Sequence, residues 1–151
     1  MNEKEPQIVY VRKTDREIYD RLMEKDSPFS MSEIKTKHLF MLAMAIGVYE
    51  RKKTGIKEGE RDGAGFFRTE YLSDREKSLI KAIAIADTGG FEVLLDKKKV
   101  YAIAQEYAAG GIVSLKEQAL SGGIGSYSNR LEVELLEILH GMQIGAKENA
   151  V

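Results

Sequence analysis

No cysteine and no tryptophan occur among the 151 residues, and proline appears only twice. Without thiols the chain has no disulfide, no thiolate metal ligand and no thiol nucleophile, so a cytoplasmic setting is expected. Two histidines, His38 and His140, lack the His-x-x-x-His spacing of a zinc site, and neither a metal nor another cofactor is expected. An excess of one charge sign is missing too: 23 Lys and Arg against 24 Asp and Glu leave a net charge of -1. No field of the whole molecule steers it to nucleic acid, and any such binding must use a local patch. Uncharged stretches such as HLFMLAMAIGVY reach only twelve residues. A bilayer-spanning helix needs about 20, so no membrane partner is expected. The opening MNEKEPQ carries both charge signs where a signal peptide would be apolar.

What is present is the composition of an ordinary globular chain, 43% hydrophobic and 31% charged, at a length that buries a core in one compact domain. Within it we distinguish a strand-helix-helix segment at 1–54, a loop rich in glycine and charge with a short strand at 55–70, a helical half at 71–142 and a flexible tail at 143–151. GIKEGERDGAG, inside the second of these, reads as a mobile surface loop.

Helix starts are marked by Ser or Thr followed three residues later by Glu, a pair that satisfies two orphan amides reciprocally. Thr14 with Glu17, Ser30 with Glu33, Ser73 with Glu76 and Ser114 with Glu117 fit. Phe29 and Ile34 add a hydrophobic staple to the second. The pattern predicts a strand from Ile8 to Arg12, then helices at about 15–25 and 31–53. The second is apolar nearly all round over Leu39 to Tyr49 and so belongs in the core. FFRTEYL and FEVLL read as short strands. A helix starts at Asp74 and ends at the glycines of DTGG. Asp96 caps another that stops at Gly110 and Gly111, Ser114 opens a short one, and a last helix spans about 130–142. The fold class is therefore α+β, mainly α.

Strand, helix, helix is the order of the ribbon-helix-helix fold, in which two chains pair their strands into a ribbon that enters the major groove. On that reading Tyr10, Arg12, Lys13, Lys35 and Lys37 are the DNA-contact candidates, and Val9, Val11, Leu42 and Ile46 form the core of a homodimer. Alternation, however, puts Ile8, Tyr10 and Arg12 on one face and Val9, Val11 and Lys13 on the other. A ribbon that reads bases needs a polar outer face, and neither face is polar throughout. A strand covered on both sides, paired within its own domain or across a dimer, is the plainer account.

Other residues offer less. His38 falls on the core-facing stripe of the second helix and reads as a hydrogen-bonded core histidine. His140 complements a helix end. SGGIGS, at 121–126, lacks the lysine and Ser/Thr of a phosphate loop and reads as a flexible connector. Glu132, Glu134 and Glu137 make a solvated helix side. Lys97, Lys98 and Lys99 begin a helix, where positive charge opposes the dipole and hints at an anionic partner.

The segments DREIYDRL, KHLFMLAMAIGVYERKKTGI and LIKAIAIADTGGFEVLLDKKKVYAIAQEYAAGGI, above all KAIAIADTGG with VLLD and EYAAGGI, resemble a family of small prokaryotic proteins accessory to the Dnd DNA phosphorothioation system. The resemblance runs from about Gln7 to Leu139 and implies a place in DNA modification or defence, with proteins of that system as expected partners; duplex DNA is a partner only on the ribbon reading. It supplies no catalytic residue to carry over. The expected function is a non-catalytic accessory protein. A small hydrolase or nucleotide-binding enzyme using carboxylates and His38 is the alternative from another class, and a purely structural oligomerisation domain is the third.

Overall fold

Two helices packed on each other set the core, and the rest of the chain is arranged around them. A computed structural model describes residues 4–24, 36–120 and 135–136. Within these, the elements are β1 (Ile8–Val9), α1 (Lys13–Leu22), α2 (Thr36–Glu50), β2 (Phe67–Arg68), α3 (Asp74–Thr88) and α4 (Lys97–Leu120), with 3-10 turns at Glu58–Glu60, Thr69–Tyr71 and Phe91–Leu95. The architecture is α+β and mainly α, as the sequence pattern predicts.

The dominant packing is α2 on α4, with α1 and α3 each laid against α4. Leu39, Phe40, Ala43 and Met44 of α2 meet Val100, Ile103, Ala104, Ala108, Ile112 and Leu115 of α4 in one apolar cluster. Contrary to the sequence reading, α4 does not stop at Gly110 and Gly111, and Ser114 opens no new helix; α4 is continuous to Leu120. The reason is close approach. A β-carbon on Gly111 would lie 1.7 Å from the Ala43 carbonyl oxygen, and one on Gly47 would lie 2.0 Å from that of Tyr107. Glycine inside a helix costs about 1 kcal/mol relative to alanine, a penalty offset here because the two backbones can touch.

β1 pairs antiparallel with β2 of the same chain, Ile8 opposite Arg68 and Val9 opposite Phe67. The pairing extends beyond these short strands: Asp62 N–H donates to Val11 O at 2.9 Å, Thr69 N–H to Gln7 O at 3.0 Å, and Arg12 bridges Arg61. Residues 61–69 thus run alongside residues 7–12.

Of the capping boxes, Ser73 with Glu76 forms in both directions. Thr14 with Glu17 does not: α1 begins at Lys13, and Arg12 stands at the cap without a side-chain bond. The Arg12 side chain closes on Asp15 instead. Ser30 with Glu33 falls outside the described residues. α3 ends where expected, at Gly89 in the left-handed region with φ of 81°. FEVLL is not a strand. Val93 is its one buried residue, so there is no alternation for a sheet to use.

Candidate functional site

The ionisable side chains fall into clusters that tie one element to another. At the start of α1, Arg12 makes two parallel bonds to Asp15, at 2.7 and 2.9 Å, and reaches the Ala109 carbonyl of α4 at 3.4 Å. Asp15 is 2% exposed. Burial pushes its carboxyl above the ordinary range in spite of Arg12, while the same bond holds the guanidinium more firmly charged. Beside it, Arg16 binds Asp62 at 3.1 Å and the Gly65 carbonyl at 3.0 Å and lies over the Phe66 ring. Tyr19 packs on that ring with centroids 4.5 Å apart.

Lys37, in the first turn of α2, donates to the Tyr71 carbonyl and to Glu76, each at 2.8 Å. Burial raises the Glu76 carboxyl, but Lys37 and Ser73 outweigh it and hold the group below its usual value. At the other end of α2, Ser114 donates to Glu50 at 2.6 Å and accepts from Lys52 at 3.1 Å. Tyr107 donates to Asp87 at 2.5 Å, and Lys53 binds Asp87 at 3.0 Å. The bond to Asp87 pushes the Tyr107 hydroxyl up to about 12. Glu5 accepts from Tyr101 and from Lys77, fastening the amino-terminal segment to α3 and α4. These are cross-links between elements rather than groups converging on a cavity.

Three of the four described DNA-contact candidates are engaged by their own chain. Tyr10 is half-buried, its N–H donates to Gln105 of α4 at 2.8 Å, and the Arg61 guanidinium sits over its ring. Arg12 and Lys37 are engaged as described. Lys13 is exposed, and Lys35 lies outside the described residues. Among the dimer-core candidates, Val9 and Val11 are buried by their own chain, and Leu42 and Ile46 are partly buried against the same core. His38 is exposed rather than core-facing, which leaves it away from the apolar stripe. His140, the glutamates at 132, 134 and 137, and the SGGIGS stretch at 121–126 lie outside the described residues. No group of His, Asp and Glu able to hold a metal ion occurs among the described residues. No described helix is long and apolar enough to cross a membrane.

Two surfaces were not foreseen. One is the 3-10 turn before α4, where Phe91 is 74% and Leu95 81% exposed, followed by exposed Lys97, Lys98 and Lys99. The other is a groove of about 260 Å³ between α2 and α3, lined by Val48, Ala82, Ile83, Ala86, Asp87 and Tyr107. The run LIKAIAIA carried a signal for the second, because its apolar residues spread over more of the helix than one core-facing stripe can bury.

Residues 9–146 match the family described as DNA sulphur modification system-associated protein 4. No curated protein and no solved structure shows significant similarity.

Proposed function

From the premise that this chain belongs to the family of DNA sulphur modification system-associated protein 4, we propose a non-catalytic accessory protein that works as a homodimer and acts by contacting proteins of that system. The observation that carries this reading is the surface in front of α4. Phe91 and Leu95, four residues apart, stand out into solvent, and Lys97 and Lys98 beside them make no ion pair within the described residues. Bulky apolar side chains rimmed by charge are what a protein interface uses as anchors and rim. A solvated surface needs neither.

The test is binding of the purified chain to each protein of the DNA sulphur modification system, measured by calorimetry. One of them is expected to bind, and replacing Phe91→Asp together with Leu95→Asp is expected to weaken it by about tenfold or more, since anchor residues dominate interfaces. If none binds, or if the double variant binds as well as the natural chain, the reading fails. Direct contact with duplex DNA is the competing reading, and exposed Lys13 is the observation in its favour. It predicts affinity that falls with salt, with a slope of about -0.9 per phosphate contact, and that drops on Lys13→Glu.

A further inference from the structure

We propose that the α2–α3 groove is where two copies of this chain meet, with α3 of each lying antiparallel against the other. The inference rests on the dimeric part of the reading above and moves the contact away from the amino-terminal strand, one edge of which is taken by β2 while Gln105 of α4 meets the other at Tyr10.

The α3 helix turns only Ile80 and Ala84 fully into its own core. Helical spacing brings Arg75, Leu79, Ala82, Ile83 and Ala86 onto a different side, at i, i+4, i+7, i+8 and i+11. Leu79 is 46% exposed, Ala82 and Ala86 are exposed, and Ile83 is half-buried. This stripe continues into the groove, whose opposite wall is Val48 of α2 and whose floor is Tyr107 of α4. No charge interrupts it between Arg75 and Asp87, and Asp87 is already neutralised by Lys53. Two copies therefore meet there without repulsion.

A second copy fits because the stripe is complementary to its own reversed image. In an antiparallel crossing centred between Ala82 and Ile83, Leu79 of one copy faces Ala86 of the other, a large side chain against a small one. The same crossing carries Arg75 towards the far end of the other α3, beyond which stands Glu92. Both Arg75 and Glu92 are exposed, and neither makes an ion pair with a described residue of its own chain. An isologous contact makes each such pair twice.

Sedimentation and light scattering of the full chain at micromolar concentration should give a dimer. Ala82→Glu, on an exposed position that leaves the core alone, should give a monomer with unchanged circular dichroism. Arg75→Glu should weaken the dimer by roughly tenfold, as expected for reversing one partner of an interfacial charge pair, and adding Glu92→Arg should restore it. That rescue is not expected of a residue that only stabilises its own helix. Because the chain has no cysteine, Ala82→Cys should oxidise to a cross-linked dimer, while Lys81→Cys, on the opposite side of α3, should not. A monomeric natural chain, a dimer that survives Ala82→Glu, or cross-linking through Lys81→Cys alone would each overturn the proposal. Binding of system proteins by monomeric Ala82→Glu reads the Phe91 surface separately.

Discussion

Gly111 of α4 lies against the backbone of α2 so closely that a β-carbon would meet the Ala43 carbonyl oxygen at 1.7 Å and the Gly47 nitrogen at 2.7 Å. Both obstacles are backbone atoms of a buried helix and cannot turn aside. Helix propensity alone favours Gly111→Ala by about 1 kcal/mol. Overpacking costs roughly 1–3 kcal/mol or more, and here it wins. Gly111→Ala should therefore lower the urea midpoint, whereas Gly63→Ala, with open space around it, should leave the midpoint within error.

Arg51 ends α2 in the left-handed region, with φ of 57°. The Lys52 N–H reaches back to Gly47 O at 2.8 Å and the Arg51 N–H to Val48 O at 3.2 Å, the two bonds of a Schellman ending. That position suits glycine, and a side chain there costs about 1–2 kcal/mol. The Arg51 side chain is exposed and makes no ion pair within the described residues, so removing it forfeits nothing. Arg51→Gly should raise stability by roughly 0.5–1 kcal/mol, the relief of strain less the entropy that glycine adds to the unfolded chain. An unchanged or lowered unfolding free energy would contradict this account.

Legibility in the sequence followed the range of the forces involved. Ser73 with Glu76 and the Gly89 ending were readable because both are settled within four residues of chain. The burial of Leu39, Phe40, Ala43 and Met44 was readable because apolar density has few other uses. Gly110 and Gly111 were misread because a glycine that ends a helix and one that lets another helix approach look alike until the second helix is in place. FEVLL was misread for a related reason: five residues of that kind suit a strand, a turn of helix or an exposed anchor, and the neighbours decide. His38 was placed on the core stripe from Ile34, a residue outside the described segments, and one step of rotation moves it into solvent. Lys97, Lys98 and Lys99 are legible as a misfit with the helix dipole, but the exposure of Phe91 and Leu95 beside them is not readable from the pattern.

Acid should weaken the fold through three named carboxylates. Burial, the largest single influence, raises Glu5, Glu76 and Asp87, but their contacts taken together hold each below its ordinary value: Tyr101 and Lys77, Lys37 and Ser73, and Tyr107 and Lys53. A carboxylate with a lowered folded value contributes stability that is present above its unfolded value, near 4.5 for Glu and 3.8 for Asp, and is lost as pH falls through the folded value. Asp15 has the opposite sign, because its folded value is raised: its contribution is present at low pH and fades as pH rises through that value. Urea midpoints should fall as the pH drops from about 5 to 3. Asp87→Asn should flatten that fall, and Asp15→Asn should leave it steeper; a flat profile in the natural chain would refute the assignment.

Buried Tyr19 and half-buried Tyr107 allow a test of what a phenol hydroxyl contributes with and without a partner. Tyr19 is 1% exposed, and its hydroxyl has no hydrogen-bond partner among the described residues; burial and then the nearby Asp15 push its ionisation well above the ordinary value. Tyr107 donates to Asp87. Removing a buried hydroxyl without a protein partner recovers about 1–2 kcal/mol of desolvation, whereas removing one that serves a carboxylate loses a similar amount. Tyr19→Phe should therefore stabilise the chain and Tyr107→Phe should destabilise it. Alkali separates them further. A tyrosine with a raised folded value contributes stability that is complete below its unfolded value near 10 and is lost as pH rises through the folded one, which for Tyr107 is about 12. Ultraviolet titration should show both tyrosines still protonated at pH values above the ordinary tyrosine value of 10, with Tyr19 released only on unfolding. If Tyr19→Phe lowers the unfolding free energy, its hydroxyl has a partner after all, and the packing at the start of α1 needs to be redrawn.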